Sequence, residues 1–302
     1  MEPIYSLYAD SDVLIPKPMS HLFIIELLIG LSFLYTGHSR GEAVMGKRVP
    51  ADCIECHGDL VEGTVLHYPA EDACDNCHES TGASHPSADS LGFRLMDSTP
   101  ALCFNCHEES TAQAHSHQPV VEGNCLDCHE AHGSNQPALL LKDEKELCLG
   151  CHKHISRLVR GSKMQVHTAI SDMGCMTCHQ AHGSEFRALL VDAYPAEDYL
   201  AASTENFGLC FLCHDTDILD AEETEWATGF RNGKQNLHRL HINGNKGRNC
   251  RMCHNIHGSP QLYLVEERVS FGSWEMKLNF VPEEQGGSCF PGCHGKLSYQ
   301  RQ

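Results

Sequence analysis

The sequence predicts a mostly irregular chain with short α-helices and few short strands, arranged as an elongated array whose core is formed by bound groups. Two observations lead to this prediction. The 302 residues include 18 Cys and 22 His, but only 11 Phe, 8 Tyr and 2 Trp. The cysteines also recur in pairs, with about 27 residues of chain for each pair, which is too little to build a separate folded unit. An ordinary core of apolar side chains is therefore not expected.

The charge balance excludes one class of partner. Lys and Arg number 22 and Asp and Glu number 40, which leaves a formal net charge of −18 at pH 7. A polyphosphate backbone or an anionic membrane surface repels such a chain, and the sequence has no basic stretch that could bind one. Nucleic acid is therefore not expected as a partner.

Nine cysteine pairs use all 18 cysteines, and a histidine directly follows every pair. Eight pairs have the spacing C-x-x-C-H, and the last pair has one additional residue, C-x-x-x-C-H. The paired cysteines are Cys53 and Cys56, Cys74 and Cys77, Cys103 and Cys106, Cys125 and Cys128, Cys148 and Cys151, Cys175 and Cys178, Cys210 and Cys213, Cys250 and Cys253, and Cys289 and Cys293. The histidines that follow them are His57, His78, His107, His129, His152, His179, His214, His254 and His294.

This order of residues is the attachment signature of c-type haem. Two thiols three residues apart on a helical turn both reach the porphyrin edge, and the next histidine supplies one axial nitrogen to the iron. Structural zinc sites and a disulfide framework are the alternatives, but neither gives a reason for a histidine after every pair. The sequence therefore predicts nine covalently attached haem c groups, the longer loop included, because Cys293 still directly precedes His294.

A short segment, H-x-x-H-G-S, follows three of the motifs. It places His132, His182 and His257 three residues beyond a motif histidine. That separation is too short for the chain to pass around a porphyrin to the far face of the same haem. Each of these histidines is therefore expected to bind the iron of a neighbouring haem, which brings two haems close together.

Eleven histidines lie outside the motifs and beyond the N-terminal leader, so every iron can receive a second imidazole. The predicted second ligands are His67, His85, His115, His117, His132, His167, His182, His241 and His257, with His154 and His238 as spares. Several of them stand seven to nine residues before a motif, as His117 and His167 do. Within the neighbours His115/His117 and His238/His241, the two members could exchange roles.

The motifs divide the chain into three parts. Residues 1–45 form a signal peptide or an N-terminal anchor, residues 46–115 a three-haem section, and residues 116–302 three modules of two haems each. Short helices are predicted at Asp143–His152 and Thr204–His214. The apolar runs that follow H-G-S are predicted to be short strands or extended segments, and they span Ala138–Leu141, Ala188–Val191 and Gln261–Val265.

The leader contains an apolar run, Leu22–Tyr35, which Glu26 and Gly30 interrupt. The run is short for a membrane span and has the length of a signal-peptide core, with a cleavage site expected near Ala43. Export to the periplasm or to the outside of the cell is the prediction, and an uncleaved anchor is the alternative.

The unit H-x7-C-x-x-C-H-x-x-H-G-S, followed by a second C-x-x-C-H, resembles the doubled-CXXCH family of multihaem cytochromes c, which is similar in style to cytochrome c3. The resemblance covers residues 53–299. The segments Asn236–His254 and Gly286–His294 also resemble secreted cytochromes of bacteria that respire external acceptors. The resemblance implies a periplasmic or extracellular electron carrier with low-spin, bis-histidine haems in a close-packed chain.

We therefore expect electron transfer without bond chemistry at iron, and no enzymatic activity. A multihaem reductase of nitrite, hydroxylamine or a sulfur compound is the first alternative, but it requires an iron with an open position. A subunit of an extracellular cytochrome filament is the second. The expected partners are other redox proteins or extracellular electron acceptors. The chain could also form a homo-oligomer or filament, or associate with an outer-membrane conduit.

Overall fold

The computed structural model describes residues 52–108, 113–244 and 246–302, so the predicted leader lies outside the described residues. The described residues belong to one unit, Lys47–Gln302. Its helices are four to eight residues long and its strands two to four, and irregular chain connects them. The predicted fold class, mostly irregular with short helices and few short strands, is confirmed.

The helices of the described residues are α1 (Asp52–His57), α2 (Tyr68–Asp72), α3 (Ala101–Phe104), α4 (Gln118–Val121), α5 (Glu144–Cys151), α6 (Lys153–Arg160), α7 (Thr168–Asp172), α8 (Gly208–Phe211), α9 (Asp217–Asp220) and α10 (Leu237–Ile242). The strands are β1 (Val65–Leu66), β2 (His78–Ser80), β3 (Phe93–Leu95), β4 (His115–Ser116), β5 (Gly133–Ser134), β6 (Gln165–Val166), β7 (Gly183–Ser184), β8 (Arg231–Asn232), β9 (Gln235–Asn236), β10 (Gly258–Ser259), β11 (Arg268–Phe271), β12 (Trp274–Lys277), β13 (Val281–Glu283), β14 (Gly286–Cys289) and β15 (Leu297–Gln300).

Both predicted helices are present, but their lengths differ. Helix α5 begins after Asp143, whose carboxylate accepts hydrogen bonds from the N–H groups of Lys145 (3.1 Å) and Glu146 (3.4 Å) and so satisfies donors of the first turn. Helix α8 is a single turn and begins four residues after the predicted start. The hydroxyl of Ser203 accepts a hydrogen bond from the N–H of Asn206 at 3.1 Å and holds the preceding residues in a separate turn.

Three two-residue antiparallel ladders connect distant motifs. They pair β1 with β5, β4 with β7 and β6 with β10. In each ladder, the segment before an upstream histidine pairs with the Gly-Ser of an H-x-x-H-G-S segment. Two ladders extend by one further bond, in which His67 N–H donates to the carbonyl of His132 (2.8 Å) and His117 N–H to that of His182 (2.9 Å). Histidines far apart in sequence are brought together in this way.

The apolar runs after H-G-S do not form the predicted strands. Each contains two successive residues with positive φ, such as Ala138 (φ 54°) and Leu139 (φ 55°), and contributes a single isolated bridge to its motif histidine. The other two copies are Ala188 with Leu189 and Tyr263 with Leu264. The strand prediction failed because hydrogen bonds from more distant residues, described below, hold these segments in a left-handed turn that their sequence does not favour. The residue after each turn, Leu140, Leu190 or Val265, has the extended backbone that was predicted as the alternative.

Side chains supply little core in the described residues. One small buried cluster consists of Phe207, Leu219 and Ile242, and Tyr194 packs against it. The C-terminal region adds the hairpin of β11 with β12 and a three-stranded antiparallel sheet in the order β13–β14–β15. Within the described residues, no helix is long and apolar enough to span a bilayer.

Candidate haem-binding sites

All 18 cysteines lie in the described residues, and no disulfide bond joins any two of them there. In motifs such as Cys125–His129, the backbone forms one tight turn, in which the N–H groups of Cys128 (3.2 Å) and His129 (3.0 Å) both donate to the carbonyl of Cys125. The last motif instead begins at the end of strand β14. The turn places the two thiols within reach of one porphyrin edge and directs the following imidazole away from the backbone.

Every motif histidine faces a second imidazole of the same chain. The nine pairs have ring centroids 5.9 to 6.5 Å apart, with interplanar angles between 10° and 52°. The pairs are His57–His85, His78–His132, His107–His67, His129–His182, His152–His117, His179–His257, His214–His167, His254–His238 and His294–His241. Every attachment motif therefore has one imidazole pair.

Local structure places the upstream histidines. His67, His117 and His167 have extended backbones and directly precede the one-turn helices α2, α4 and α7. A proline in the first turn of α2 and of α4 fixes where these helices begin. Strand, histidine, short helix and attachment motif therefore follow one another in the same order in each of these units.

The thiols of successive motifs also lie close together. First cysteines interact across units: Cys103 with Cys125, Cys148 with Cys175, and Cys210 with Cys250. Second cysteines interact electrostatically within units: Cys77 with Cys106, Cys128 with Cys151, Cys178 with Cys213, and Cys253 with Cys293. These interactions link the second motif to the ninth in sequence order.

A family model for the doubled CXXCH motif matches the chain three times, over residues 67–112, 117–157 and 167–218. Each match contains two attachment motifs. The chain is a multihaem c-type cytochrome. A comparison of this cytochrome with curated proteins finds no match. The first matched segment begins at His67 and groups the second and third motifs as a doubled unit, whereas the sequence analysis placed both in the three-haem section of residues 46–115.

The imidazole pairs of the cytochrome fit haem iron. An iron ~2.0 Å from each ring nitrogen, on the line between two imidazoles, puts the ring centroids roughly 6.2 Å apart. The observed separations of 5.9 to 6.5 Å lie on either side of that value. The two imidazoles of each pair are therefore spaced so that they would hold one haem iron between them. Among the described residues, no group of three or more His, Cys, Asp and Glu side chains is arranged to hold a bare metal ion.

One pairing differs from the sequence prediction. His238, assigned as a spare, faces His254 at 6.2 Å, whereas no second imidazole faces His115 within the described residues. The register of β4 explains the difference, because His115 pairs with Ser184 at the position that Val65 and Gln165 occupy in the other two ladders. The other spare, His154, is exposed on α6 and likewise faces no imidazole in the part of the chain described.

A sequence signal for His238 exists. His238 and His241 are separated by three positions, the same spacing as in the three H-x-x-H-G-S segments. The two side chains project from successive turns of α10 toward two different motif histidines, His254 and His294. Phe230 contacts both rings, with centroid separations of 5.2 Å to His238 and 5.5 Å to His241. The H-x-x-H spacing alone would therefore have selected His238.

Hydrogen bonds at Nδ1 orient many of the ligand rings. Four motif histidines bond main-chain carbonyls in this way: His129 with Ala138 (2.9 Å), His179 with Ala188 (3.0 Å), His254 with Tyr263 (2.9 Å), and His294 with its neighbour Gly295 (2.6 Å). Among the second histidines, His67 bonds the carbonyl of Ala131 (2.8 Å), His241 that of Leu237 (2.7 Å), and His238 the hydroxyl of Thr228 (2.8 Å). A carbonyl partner fixes the proton on Nδ1 and leaves Nε2 as the ligating atom.

Burial keeps several of these imidazoles in the neutral form that binds metal. Burial, reinforced by His254 and His241, lowers the pKa of His238 to about 3. Burial, with His179 nearby, lowers the pKa of His257 to about 4. The thiols respond in the opposite sense, and burial raises the pKa of Cys253 to about 11. The histidine sites are therefore preformed for a neutral ligand role at pH 7.

Proposed function

We propose that this multihaem cytochrome carries electrons along nine bis-histidine haems in the periplasm or outside the cell. The observation that carries the proposal is the set of nine imidazole pairs, one for every attachment motif. Bound haem supplies a one-electron iron couple, and two axial imidazoles leave no open position for a substrate. Support for export comes from the leader-like sequence of residues 1–45.

The H-x-x-H segments support close spacing of the redox centres. His129 pairs with His182, while His132, three residues later, pairs with His78. In the same way, His179 pairs with His257 while His182 pairs with His129, and His254 pairs with His238 while His257 pairs with His179. The three segments thus link four imidazole pairs to one another. Each segment is short enough to hold two irons near each other, so electrons can pass without a mobile intermediate carrier.

The order of the proposed relay follows from the thiol contacts. A thioether sulfur marks the edge of its haem, so neighbouring thiols mark neighbouring haem edges. Contacts such as Cys103 with Cys125 and Cys128 with Cys151 alternate along the chain. They support an unbranched relay in motif order from the second site to the ninth. The first site joins through His85, which lies seven residues after His78 and faces His57.

The reductase alternative requires an iron with only one protein ligand. A second imidazole is available for each of the nine motif histidines within one chain, which favours a carrier over an enzyme. It also means that the proposed ligand set does not need a second copy of the chain. We infer that the partners are redox proteins or external acceptors that approach a haem edge.

Four measurements on the purified holoprotein test the proposal. Mass spectrometry should show nine covalent haems, and electron paramagnetic resonance of the oxidised protein should show low-spin signals. Reduced protein should bind carbon monoxide at no more than a trace of its haems and should be reoxidised by a soluble ferric complex. Stoichiometric carbon monoxide binding at one haem, together with turnover of nitrite, hydroxylamine or tetrathionate, would establish the enzyme instead. Cell fractionation tests export, and recovery of the holoprotein from the cytoplasm would refute it.

A further inference from the structure

We propose that the serine of each H-G-S segment is a positioning residue, which orients the proximal imidazole of its haem site and lowers the potential of that haem. The proposal concerns Ser134, Ser184 and Ser259, and it rests on the haem ligation proposed above. It assigns these serines a role in tuning the iron without direct contact to it.

Each serine hydroxyl makes two hydrogen bonds that close a loop. Ser134 Oγ donates to the carbonyl of Leu140 at 2.6 Å and accepts from the N–H of Gln136 at 3.0 Å. The same two bonds recur at the other two serines. They join Ser184 to Leu190 and Phe186, and Ser259 to Val265 and Gln261. Ser184 is 1% exposed and Ser259 0% exposed, so water does not compete for these hydroxyls.

The loop that the serine closes contains the left-handed turn. Ala138 and Leu139 have φ angles of 54° and 55°, which residues with a side chain rarely adopt. None of the three copies has Gly or Asn at these positions, so the sequence itself does not favour the turn. A conformation of this kind persists only where surrounding bonds fix it, and the serine supplies two of them.

The turn presents two carbonyls to the haem motif. The carbonyl of Ala138 accepts the Nδ1 hydrogen bond of His129 at 2.9 Å, and that of Leu139 accepts the N–H of Glu130 at 2.7 Å. Both acceptors therefore depend on the two positive φ angles. Removing the serine bonds frees the turn to relax, and relaxation moves the Ala138 carbonyl away from the imidazole.

The Nδ1 hydrogen bond affects the iron through the ligand. A carbonyl acceptor holds the ring orientation and makes the imidazole more basic, which stabilises the ferric over the ferrous state. A stronger bond therefore lowers the potential of the haem. Loss of the serine is expected to raise the potential of one haem and to change the orientation of one axial ring, while the other haems stay as they are.

The experiment compares holoprotein with Ser134→Ala, Ser134→Thr and wild type. Ser134 is the member of the set that is not fully buried, so it has the most room for the additional methyl group of threonine. Mass spectrometry verifies that the haem content is unchanged. In a spectroelectrochemical titration, about one ninth of the amplitude should move to higher potential in Ser134→Ala, with a matching new set of low-spin g values. Ser134→Thr, which keeps the hydroxyl, should restore both.

The matched control is Ser203→Ala, because that hydroxyl also accepts a backbone N–H but lies outside the three loops. It should leave potentials and g values unchanged. A Ser134→Ala protein with wild-type potentials and g values, with or without a lower melting temperature, would show that the serine is structural only and overturn the proposal.

Ser184→Ala and Ser259→Ala repeat the test at the other two serines. Loss of haem in all three variants would also overturn the proposal. Potentials and g values do not depend on transfer of electrons to a partner. The proposed electron-transfer function can therefore be refuted while the positioning role of the serine is confirmed.

Discussion

His132 faces His78, not the motif histidine that precedes it by three residues. The ring centroids of His132 and His78 are 6.2 Å apart, and the ring planes differ by 12°. His129 turns to a different partner, His182. One H-x-x-H segment therefore contributes to two imidazole pairs, which supports the proposal that it binds the irons of two haems. Each site depends on folding that connects residues more than 50 positions apart.

Removal of a shared-segment histidine should affect one site. We expect His182→Ala to convert about one of nine haems to a high-spin or water-ligated form, because His129 loses its facing imidazole. The haem count should stay the same, since no thiol is changed. Visible absorbance and electron paramagnetic resonance measure the high-spin fraction. The control is His154→Ala, at an exposed histidine that faces no imidazole in the described residues, and it should leave the spectrum unchanged. A wild-type spectrum for His182→Ala would contradict the ligand assignment.

A second pair of variants decides between the structure and the sequence prediction. From the structure we expect a high-spin haem in His238→Ala, because His238 faces His254. We expect none in His115→Ala, because His115 lies on β4 and faces no second imidazole in the described residues. The sequence prediction made His115 a second ligand and His238 a spare, and it left open an exchange of roles within His115/His117 and within His238/His241. Carbon monoxide binding to the reduced variants gives a direct count of opened irons. A high-spin haem in His115→Ala with none in His238→Ala would favour the original assignment.

The difference between these two histidines shows what a sequence can supply. Covalent attachment and the proximal ligands depend on residues that are close in sequence. The spacing of cysteines and histidine is therefore sufficient to assign all nine attachment motifs, from Cys53 to His294. A second ligand is chosen by tertiary structure, and position before a motif does not separate His115 from His117. The ladder register does, because β4 includes His115 and ends before His117.

The left-handed turns were not predictable for a related reason. Ala138 and Leu139 carry no signal for positive φ, and an apolar run after a turn is typical of a short strand. The conformation depends on side-chain hydrogen bonds, such as that from the Ser134 hydroxyl to the Leu140 carbonyl. Such bonds form only in the folded loop, so the sequence alone does not indicate them. Fold class was easier, because the scarcity of apolar residues already excludes a large core.

Haem attachment should control folding. The described residues contain one small buried cluster around Phe207, so the apo-chain buries little apolar surface. We expect expression without cytochrome c maturation to give an unfolded chain that proteases degrade, because the binding free energy of the cofactor is then folding free energy. Limited proteolysis and circular dichroism, with matured holoprotein as the control, measure this. A protease-resistant apo-protein that melts cooperatively would contradict the prediction.

The last prediction concerns Asn236, which caps the helix that carries two second ligands. Its side chain is 2% exposed, and its amide donates to the carbonyls of Asp217 (3.0 Å), Ile218 (3.1 Å) and Ala221 (3.0 Å). Its side-chain oxygen accepts the N–H of Arg239 at 3.2 Å in the first turn of α10. Alanine at this position leaves three half-buried carbonyls without this donor and removes the cap, so we expect a loss of about 2–4 kcal/mol in the free energy of unfolding.

Because α10 carries His238 and His241, the Asn236→Ala variant should also show new high-spin signal at up to two of the nine haems, those of the eighth and ninth motifs. Chemical denaturation measures the stability and electron paramagnetic resonance the spin state. The control is Asn206→Ala, which removes an exposed amide bonded to the carbonyl of Ala201 at 3.0 Å and should cost less than 1 kcal/mol, about the worth of one exposed hydrogen bond. Equal losses of stability in the two variants would show that burial of Asn236 contributes nothing. An unchanged low-spin spectrum in Asn236→Ala would show that α10 holds both ligands without its cap.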